Sequence, residues 1–270
     1  MTDKPTSSQG ANIWTSGAAY EPYVGRWSRL IAREFVSWLD IPPDSRWLDV
    51  GCGTGALTQT ILAMASPASV HGIDPSEGIV SYARANTSAA QATFAVGDAQ
   101  SLQLDSSSYE VAVSGLVLNF IPDKETALAE MVRVTRPGGM VALYVWDYAG
   151  EMQLMRHFWD MAVSLNPAAL ELDEGRRSPV CKPEPLTRLF HNAGLREVET
   201  RPIDVPTVFK DFDDYWSPFL SGQAPAPSYA MSLSEAKRAA LRDAIRDRLP
   251  IDPNGSISLI ARAWAVRGIR

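Results

Sequence analysis

Short apolar runs and longer stretches with helical spacing alternate along most of this chain. Apolar runs of strand length occupy residues 46–50, 69–73, 92–96, 109–114, 140–145, 197–205 and 257–266. Helical spacing of apolar residues occurs in residues 28–39, 56–64, 77–85, 123–134, 152–165, 185–193 and 234–249. Strands that alternate with helices in this way predict an α/β fold with a doubly wound, mostly parallel sheet.

Two aromatic-rich segments lie outside this alternation. Residues 20–27 precede the first helix and contain Tyr20, Tyr23 and Trp27, and residues 210–229 contain five aromatic residues and three prolines. A protein rarely leaves so many aromatic side chains exposed, so we expect both segments to close over a bound ligand. The alternative is that both segments simply pack on the sheet.

The composition limits the classes of function. Hydrophobic residues make up 46% of the 270 residues, and the net charge is −6, so the chain gains no general attraction to nucleic acids. This argues against RNA or DNA as the main substrate. The two cysteines form no disulfide framework, which favours a cytoplasmic location. Residues 1–10 are too polar for a signal peptide, and no apolar run is long enough to span a membrane.

A glycine-rich turn links the first predicted strand to the following helix. Gly51, Gly53 and Gly55 allow close approach to a ligand, and the unpaired N–H groups at the helix start face the same place. Asp74 follows the second strand, as in adenosine-binding α/β folds. This spacing also fits a dinucleotide site, so an NAD(P)-dependent oxidoreductase stays an alternative at this point.

Further landmarks distinguish the two possibilities. Residues 48–55 read Leu-Asp-Val-Gly-Cys-Gly-Thr-Gly, and the later landmarks are Ile-Asp-Pro-Ser at 73–76, Gly-Asp-Ala at 97–99 and Arg-Pro-Gly-Gly at 136–139. In this order they resemble the class I S-adenosylmethionine (SAM)-dependent methyltransferases, and in particular the small-molecule group of ubiquinone and menaquinone biosynthesis. The resemblance implies an enzyme with SAM as cofactor and a Rossmann-like, seven-stranded sheet with helices on both faces and an antiparallel last strand.

The resemblance also implies a division of the chain. Residues 1–270 are expected to form a single methyltransferase domain. Its parts would be an N-terminal helical lid (1–44), a SAM-binding core (45–145) and the rest of the sheet (146–270), with substrate-side insertions near 146–184 and 210–255.

The same resemblance assigns roles to the residues at the strand ends. Asp74 is expected to accept hydrogen bonds from the ribose hydroxyls, and Asp98, with the backbone of Ala99, is expected to bind the adenine. Arg26 is expected to face the cofactor carboxylate. The remaining predicted cofactor contacts are Tyr23, Gly51, Cys52, Gly53, Pro75 and Leu116. Asp49 is expected to hold the glycine loop through backbone N–H groups.

No residue is a strong catalytic candidate, because methyl transfer from a sulfonium needs alignment more than proton transfer. Asn119, Asp147 and His157 are the weak candidates for a general base or a polar contact. Cys52 is not expected to act as a nucleophile, and no metal-ligand spacing occurs in the sequence. A non-catalytic SAM-binding module remains a third class. The sequence predicts neither the acceptor atom nor an oligomeric state.

Overall fold

The computed structural model describes residues 25–270, and seven strands of this part form one sheet. The strands are β1 (Arg46–Val50), β2 (Ser69–Asp74), β3 (Ala92–Val96), β4 (Tyr109–Gly115), β5 (Thr135–Trp146), β6 (Arg196–Phe209) and β7 (Ile257–Ile269). Their order in the sheet is β3-β2-β1-β4-β5-β7-β6. The last strand, β7, lies between β5 and β6 and runs antiparallel to both. The predicted fold class, including the antiparallel last strand, is therefore confirmed.

Ten α-helices within residues 25–270 connect and cover these strands. They are α1 (Arg26–Leu39), α2 (Ala56–Met64), α3 (Glu77–Asn86), α4 (Lys124–Val134), α5 (Gln153–Leu165), α6 (Glu174–Arg177), α7 (Pro183–Asn192), α8 (Phe212–Trp216), α9 (Pro225–Ser232) and α10 (Glu235–Arg248). The chain order runs outward from β1 through β2 to β3 and then from β4 to β5 in the opposite direction. Right-handed crossovers therefore place α2 and α3 on one face and α4 on the other. The first helix packs beside α2.

Three strands extend by three or more residues beyond their predicted bounds, and one of them, β7, continues past residue 266 to Ile269. The predicted turn at residues 137–139 lies inside β5, which already pairs with β4 at Thr135 and then passes through an irregular step in the register. The sixth strand continues to Phe209 although it contains Pro202 and Pro206. It lies at the edge of the sheet, where a residue without an N–H is tolerated.

The aromatic residues of the two insertions pack against one another. We call them the aromatic lobe; its members are Phe158, Trp159, Phe212, Tyr215, Trp216, Phe219 and Tyr229, and all of them are buried. Phe158 stacks on Phe219 with ring centroids 4.5 Å apart, and the Tyr215 hydroxyl donates to the Leu154 carbonyl at 2.9 Å. The premise that the rings of residues 210–229 stand open to solvent is therefore wrong, since packing within the lobe buries them.

Candidate cofactor site

The glycine turn bends tightly between β1 and α2. Gly51, Gly53 and Gly55 have φ values of 74°, 54° and 89°, a region that residues with a Cβ rarely adopt. The backbone N–H groups of Gly51 and Cys52 both donate to the Ile73 carbonyl, at 2.7 and 3.0 Å. These bonds hold the turn against the end of β2, next to Asp74.

The end of β4 lies directly against this turn. A Cβ added at Gly51 would meet Val117 Cγ1 at 2.5 Å, so only glycine fits there without movement. Leu116 has a φ of 62°, which is costly for leucine, and its N–H donates to the Tyr144 carbonyl at 2.8 Å. In doubly wound sheets, ligands bind where the strand order reverses, and here that point lies between β1 and β4. Leu116 lies at this point, and its contact with a cofactor stays a prediction.

Asp49 is a fully buried acid inside β1. Its Oδ2 accepts a hydrogen bond from the Thr58 hydroxyl at 2.7 Å, while its Oδ1 is buried without a hydrogen-bond partner in the described structure. Burial raises the pKa of Asp49 to about 7; the Thr58 bonds oppose this rise, and the nearby charge of Asp74 adds to it. The prediction that Asp49 accepts hydrogen bonds from the glycine loop is therefore wrong, because its partner is Thr58 of α2 instead.

Asp74 ends β2 and faces the glycine turn. Its Oδ2 accepts from the Gly53 N–H at 3.2 Å and its Oδ1 from the Ser76 N–H at 3.0 Å. Burial raises the pKa of Asp74, although these two bonds oppose the shift. Each carboxylate oxygen has a second lone pair, so both can still accept a bond from a ligand hydroxyl. The neighbouring Pro75 is exposed.

Asp98 lies beyond the end of β3 and is exposed. Its carboxylate accepts bonds from the backbone N–H of Gln100 at 2.8 Å and from the Gln100 side chain at 3.2 Å. Ala99 is half-buried between them. Asp98 and Ala99 therefore occupy the same edge of the sheet as Asp74, on its far side from β1.

Cys52 faces inward rather than toward a reactant. Its Sγ would lie 2.9 Å from a Cβ added at Gly72, so the thiol packs against β2. Burial, together with the charges of Asp49 and Asp74, raises the pKa of the thiol. A buried thiol of raised pKa is a poor nucleophile.

Arg26 is the first residue of α1, and its guanidinium lies near the end of β6. Its Nη1 forms an ion pair with Asp214 at 3.1 Å, and its guanidinium lies over the rings of Trp27 and Phe209. Its Nε and Nη2 are buried and have no partner in the described part of the chain. This edge of the guanidinium is the one that binds a carboxylate with two parallel bonds. Tyr23 lies outside the described residues.

The three weak catalytic candidates are in different surroundings. Asn119 follows β4 within a short turn, and its Oδ1 is buried without a partner among residues 25–270. Asp147 directly follows β5 and accepts the Glu151 N–H at 2.9 Å, which is the role of a turn residue. His157 is half-buried on α5, and burial lowers its pKa. Asn119 lies two residues after Val117, which contacts Gly51 of the glycine turn.

These features fit SAM. The unpartnered Asp49 oxygen suits a positively charged group, Asp74 suits a diol, and the free edge of Arg26 suits a carboxylate. When bound, SAM supplies a methyl group on a positively charged sulfur. Within residues 25–270, no group of three or more His, Cys, Asp or Glu could hold a metal ion.

Comparison with known proteins gives the same answer. Residues 48–143 match the protein family described as "Methyltransferase domain". Residues 48–143 therefore form a methyltransferase domain of class I. This confirms the predicted resemblance and decides against the nicotinamide alternative. SAM is the cofactor of this class.

Individual relatives of the methyltransferase domain differ in substrate. A 2-methyl-6-phytyl-1,4-hydroquinone methyltransferase from Synechocystis is 30% identical over 186 residues, which are 68% of this chain and 57% of that protein. A demethylmenaquinone methyltransferase from Staphylococcus epidermidis is 35% identical over 111 residues, 40% of this chain and 46% of that one. The chain spans about half the length of the curated relatives it matches.

One solved structure shows the same fold over most of the chain. The phosphoethanolamine N-methyltransferase 2 of Haemonchus contortus, in complex with SAM, has a TM-score of 0.58 and 16% identity and covers 94% of this chain and 56% of that one. At this identity the likeness concerns the fold alone. No helix in the described part of the methyltransferase chain is long and apolar enough to cross a membrane.

Proposed function

We propose that this chain transfers the methyl group of SAM to a small-molecule acceptor. The unpartnered buried oxygen of Asp49 supports this most directly. A buried carboxylate attracts the ammonium and sulfonium groups of SAM, whereas the pyrophosphate of a dinucleotide carries the same sign of charge and would be repelled. The charge at the glycine turn thus favours SAM over NAD.

Several of the predicted contacts have a specific role in this proposal. The turn of Gly51, Cys52 and Gly53 lies against the cofactor backbone, Asp74 binds the ribose hydroxyls, and Arg26 binds the carboxylate through Nε and Nη2. The remaining contacts are Pro75, Asp98, Ala99, Leu116 and Tyr23. Asn119 is the nearest candidate for a polar contact with the acceptor. Binding both reactants in line supplies most of the rate enhancement that such a transfer needs.

We further propose the division of residues 1–270 into a lid (1–44), a cofactor core (45–145) and an acceptor side (146–270) within one domain. The substrates named for the two curated relatives make prenylated hydroquinones and quinols the first acceptors to test. A cytoplasmic location and the absence of nucleic-acid substrates remain predictions from the composition.

Two measurements test the function. Titration calorimetry should show binding of SAM and of its demethylated product S-adenosylhomocysteine (SAH), and much weaker binding of NAD. Label from methyl-labelled SAM should then appear in a small molecule when the protein is incubated with demethylmenaquinol or a cell extract. Binding of NAD without binding of SAM would overturn the proposal, and SAM binding without any labelled product would leave a non-catalytic binding module.

A further inference from the structure

Two segments without charged residues meet on the acceptor side of the protein. Residues 161–170 and 215–234 contain no Asp, Glu, Lys or Arg, in a chain that is 21% charged, so about six charges would be expected in these thirty residues. The side chain of Asn166 donates to the Tyr229 hydroxyl at 3.4 Å and joins the segments. Twelve of these thirty residues are buried, and the absence of charge among the other eighteen is unusual for a surface that only contacts water.

Large apolar side chains are exposed on these two segments and at Leu172, which lies two residues after the first segment. We call this set the uncharged face; its members are Leu165, Leu170, Leu172, Leu220 and Met231, with exposed fractions of 54%, 38%, 42%, 44% and 45%. Met231 Cγ lies 3.8 Å from the position of a Cβ added at Gly222, so the turn after Leu220 adjoins Met231. The rings of the aromatic lobe lie buried beneath, so the face rests on a packed support.

Basic side chains border the uncharged face. Arg238 Nη1 lies 3.8 Å from Met231 Sδ, and Lys237 is exposed beside it. On the other side, Arg176 and Arg177 are exposed within the short helix that follows Leu172. The border also contains two exposed acids, Glu171, with which Arg176 pairs at 3.0 Å, and Glu235 beside Lys237, so the four basic residues outnumber the acids. An apolar centre with a basic border complements a membrane surface that contains anionic lipids.

We propose that the uncharged face docks on the surface of an anionic lipid bilayer, without crossing it. This inference rests on the proposed function, because a prenylated acceptor resides in the bilayer and the face belongs to the insertions that cover the acceptor side. The apolar side chains enter the boundary of the acyl chains, and Arg177, Lys237 and Arg238 contact the lipid phosphates. Docking then brings the acceptor half of the site to its substrate.

Vesicle flotation with the full chain tests the docking and needs no acceptor. The protein should float with vesicles of phosphatidylcholine and phosphatidylglycerol and less with phosphatidylcholine alone. Met231→Glu should lower the binding constant for the vesicles by about tenfold or more. The variant loses one apolar contact and adds a negative charge, which the anionic lipids repel. Met64→Glu is the matched control, since Met64 lies on α2 with a similar exposed fraction of 46%.

The possible outcomes separate cleanly. Absence of flotation would overturn the inference, and so would an equal loss of binding in Met231→Glu and Met64→Glu. It would also be overturned if the wild type were a dimer that Met231→Glu dissociates, with no vesicle binding by either the wild type or the variant. Leu165→Glu is a second variant with the same expected loss. SAH calorimetry on every variant should give unchanged affinity. If the wild type binds vesicles but neither SAM nor SAH, the proposed function fails and the docking result still stands.

Discussion

Replacing Asp49 with Asn should stabilise the ligand-free protein at neutral pH while weakening SAM binding. Folding raises the pKa of Asp49 from the ordinary value of 3.8 to about 7, chiefly because burial removes water from the carboxylate. Between these two values the folded state holds a proton that the unfolded state has lost, so stability falls as the pH rises through this window. At about 1.4 kcal/mol per pKa unit, the total loss above pH 7 is about 4 kcal/mol.

Urea unfolding followed by Trp fluorescence, from about pH 4 to about pH 8, measures this term. The difference in unfolding free energy between Asp49→Asn and the wild type should increase in favour of the variant by up to about 4 kcal/mol as the pH rises from about 4 to about 8. Glu174→Gln is a matched control, because burial also raises the pKa of Glu174 to about 7. Glu174 accepts a bond from the Trp159 indole in the aromatic lobe, so this variant should reduce the pH dependence without affecting SAM.

Calorimetry with SAM gives the second readout for Asp49. Only the ionised carboxylate attracts the cationic groups of SAM, so the wild-type affinity should rise by up to about tenfold per pH unit until about pH 7. The affinity of Asp49→Asn should be lower and independent of pH over the same range. Parallel pH dependence of unfolding in the wild type and in Asp49→Asn would show that Asp49 keeps an ordinary pKa, and the argument would then be refuted.

Three further predictions follow from the geometry of the site. Asp74→Ala should weaken SAM binding by about 10–100-fold in calorimetry while circular dichroism shows an intact fold; unchanged affinity would remove Asp74 from the site. Gly51→Ala should destabilise the protein by about 1–3 kcal/mol more than Gly53→Ala in urea unfolding, because only the former meets Val117, and equal losses would contradict this. Amides of residues 210–229 should exchange more slowly when SAH is bound if the insertion closes; equal exchange would mean that it only packs.

The cofactor half of the protein was largely predictable from the sequence. The strand at 46–50 and the helix at 56–64 have the predicted bounds, because a buried parallel strand is a short apolar run and the glycines mark where it ends. The residues that form this half lie in a few contiguous segments. The turn and Asp74 are about 20 residues apart and are joined by adjacent parallel strands.

Long-range partners could not be predicted in this way. No local pattern indicates that Asp214 pairs with Arg26, 188 positions away, or that Val117 closes on Gly51. The predicted sixth strand stops before Pro206 because proline usually ends a strand, whereas the position at the sheet edge makes both Pro202 and Pro206 acceptable. The burial of the aromatic rings likewise depends on which helices meet, which the composition of one segment does not show.

The ion pair between Arg26 and Asp214 links the two halves of the protein. Asp214 belongs to α8 in the acceptor-side insertion, and its Oδ2 also accepts the Lys210 N–H at 3.0 Å. Arg26 uses only Nη1 for this pair, so a cofactor carboxylate on Nε and Nη2 would bind without breaking it. The bound carboxylate would then restrain the guanidinium, and the guanidinium would restrain the start of the insertion. If Arg26 binds the cofactor carboxylate as proposed, cofactor binding and the order of the acceptor side would be coupled through one side chain, which is the physical reason to expect slower exchange in residues 210–229 with SAH.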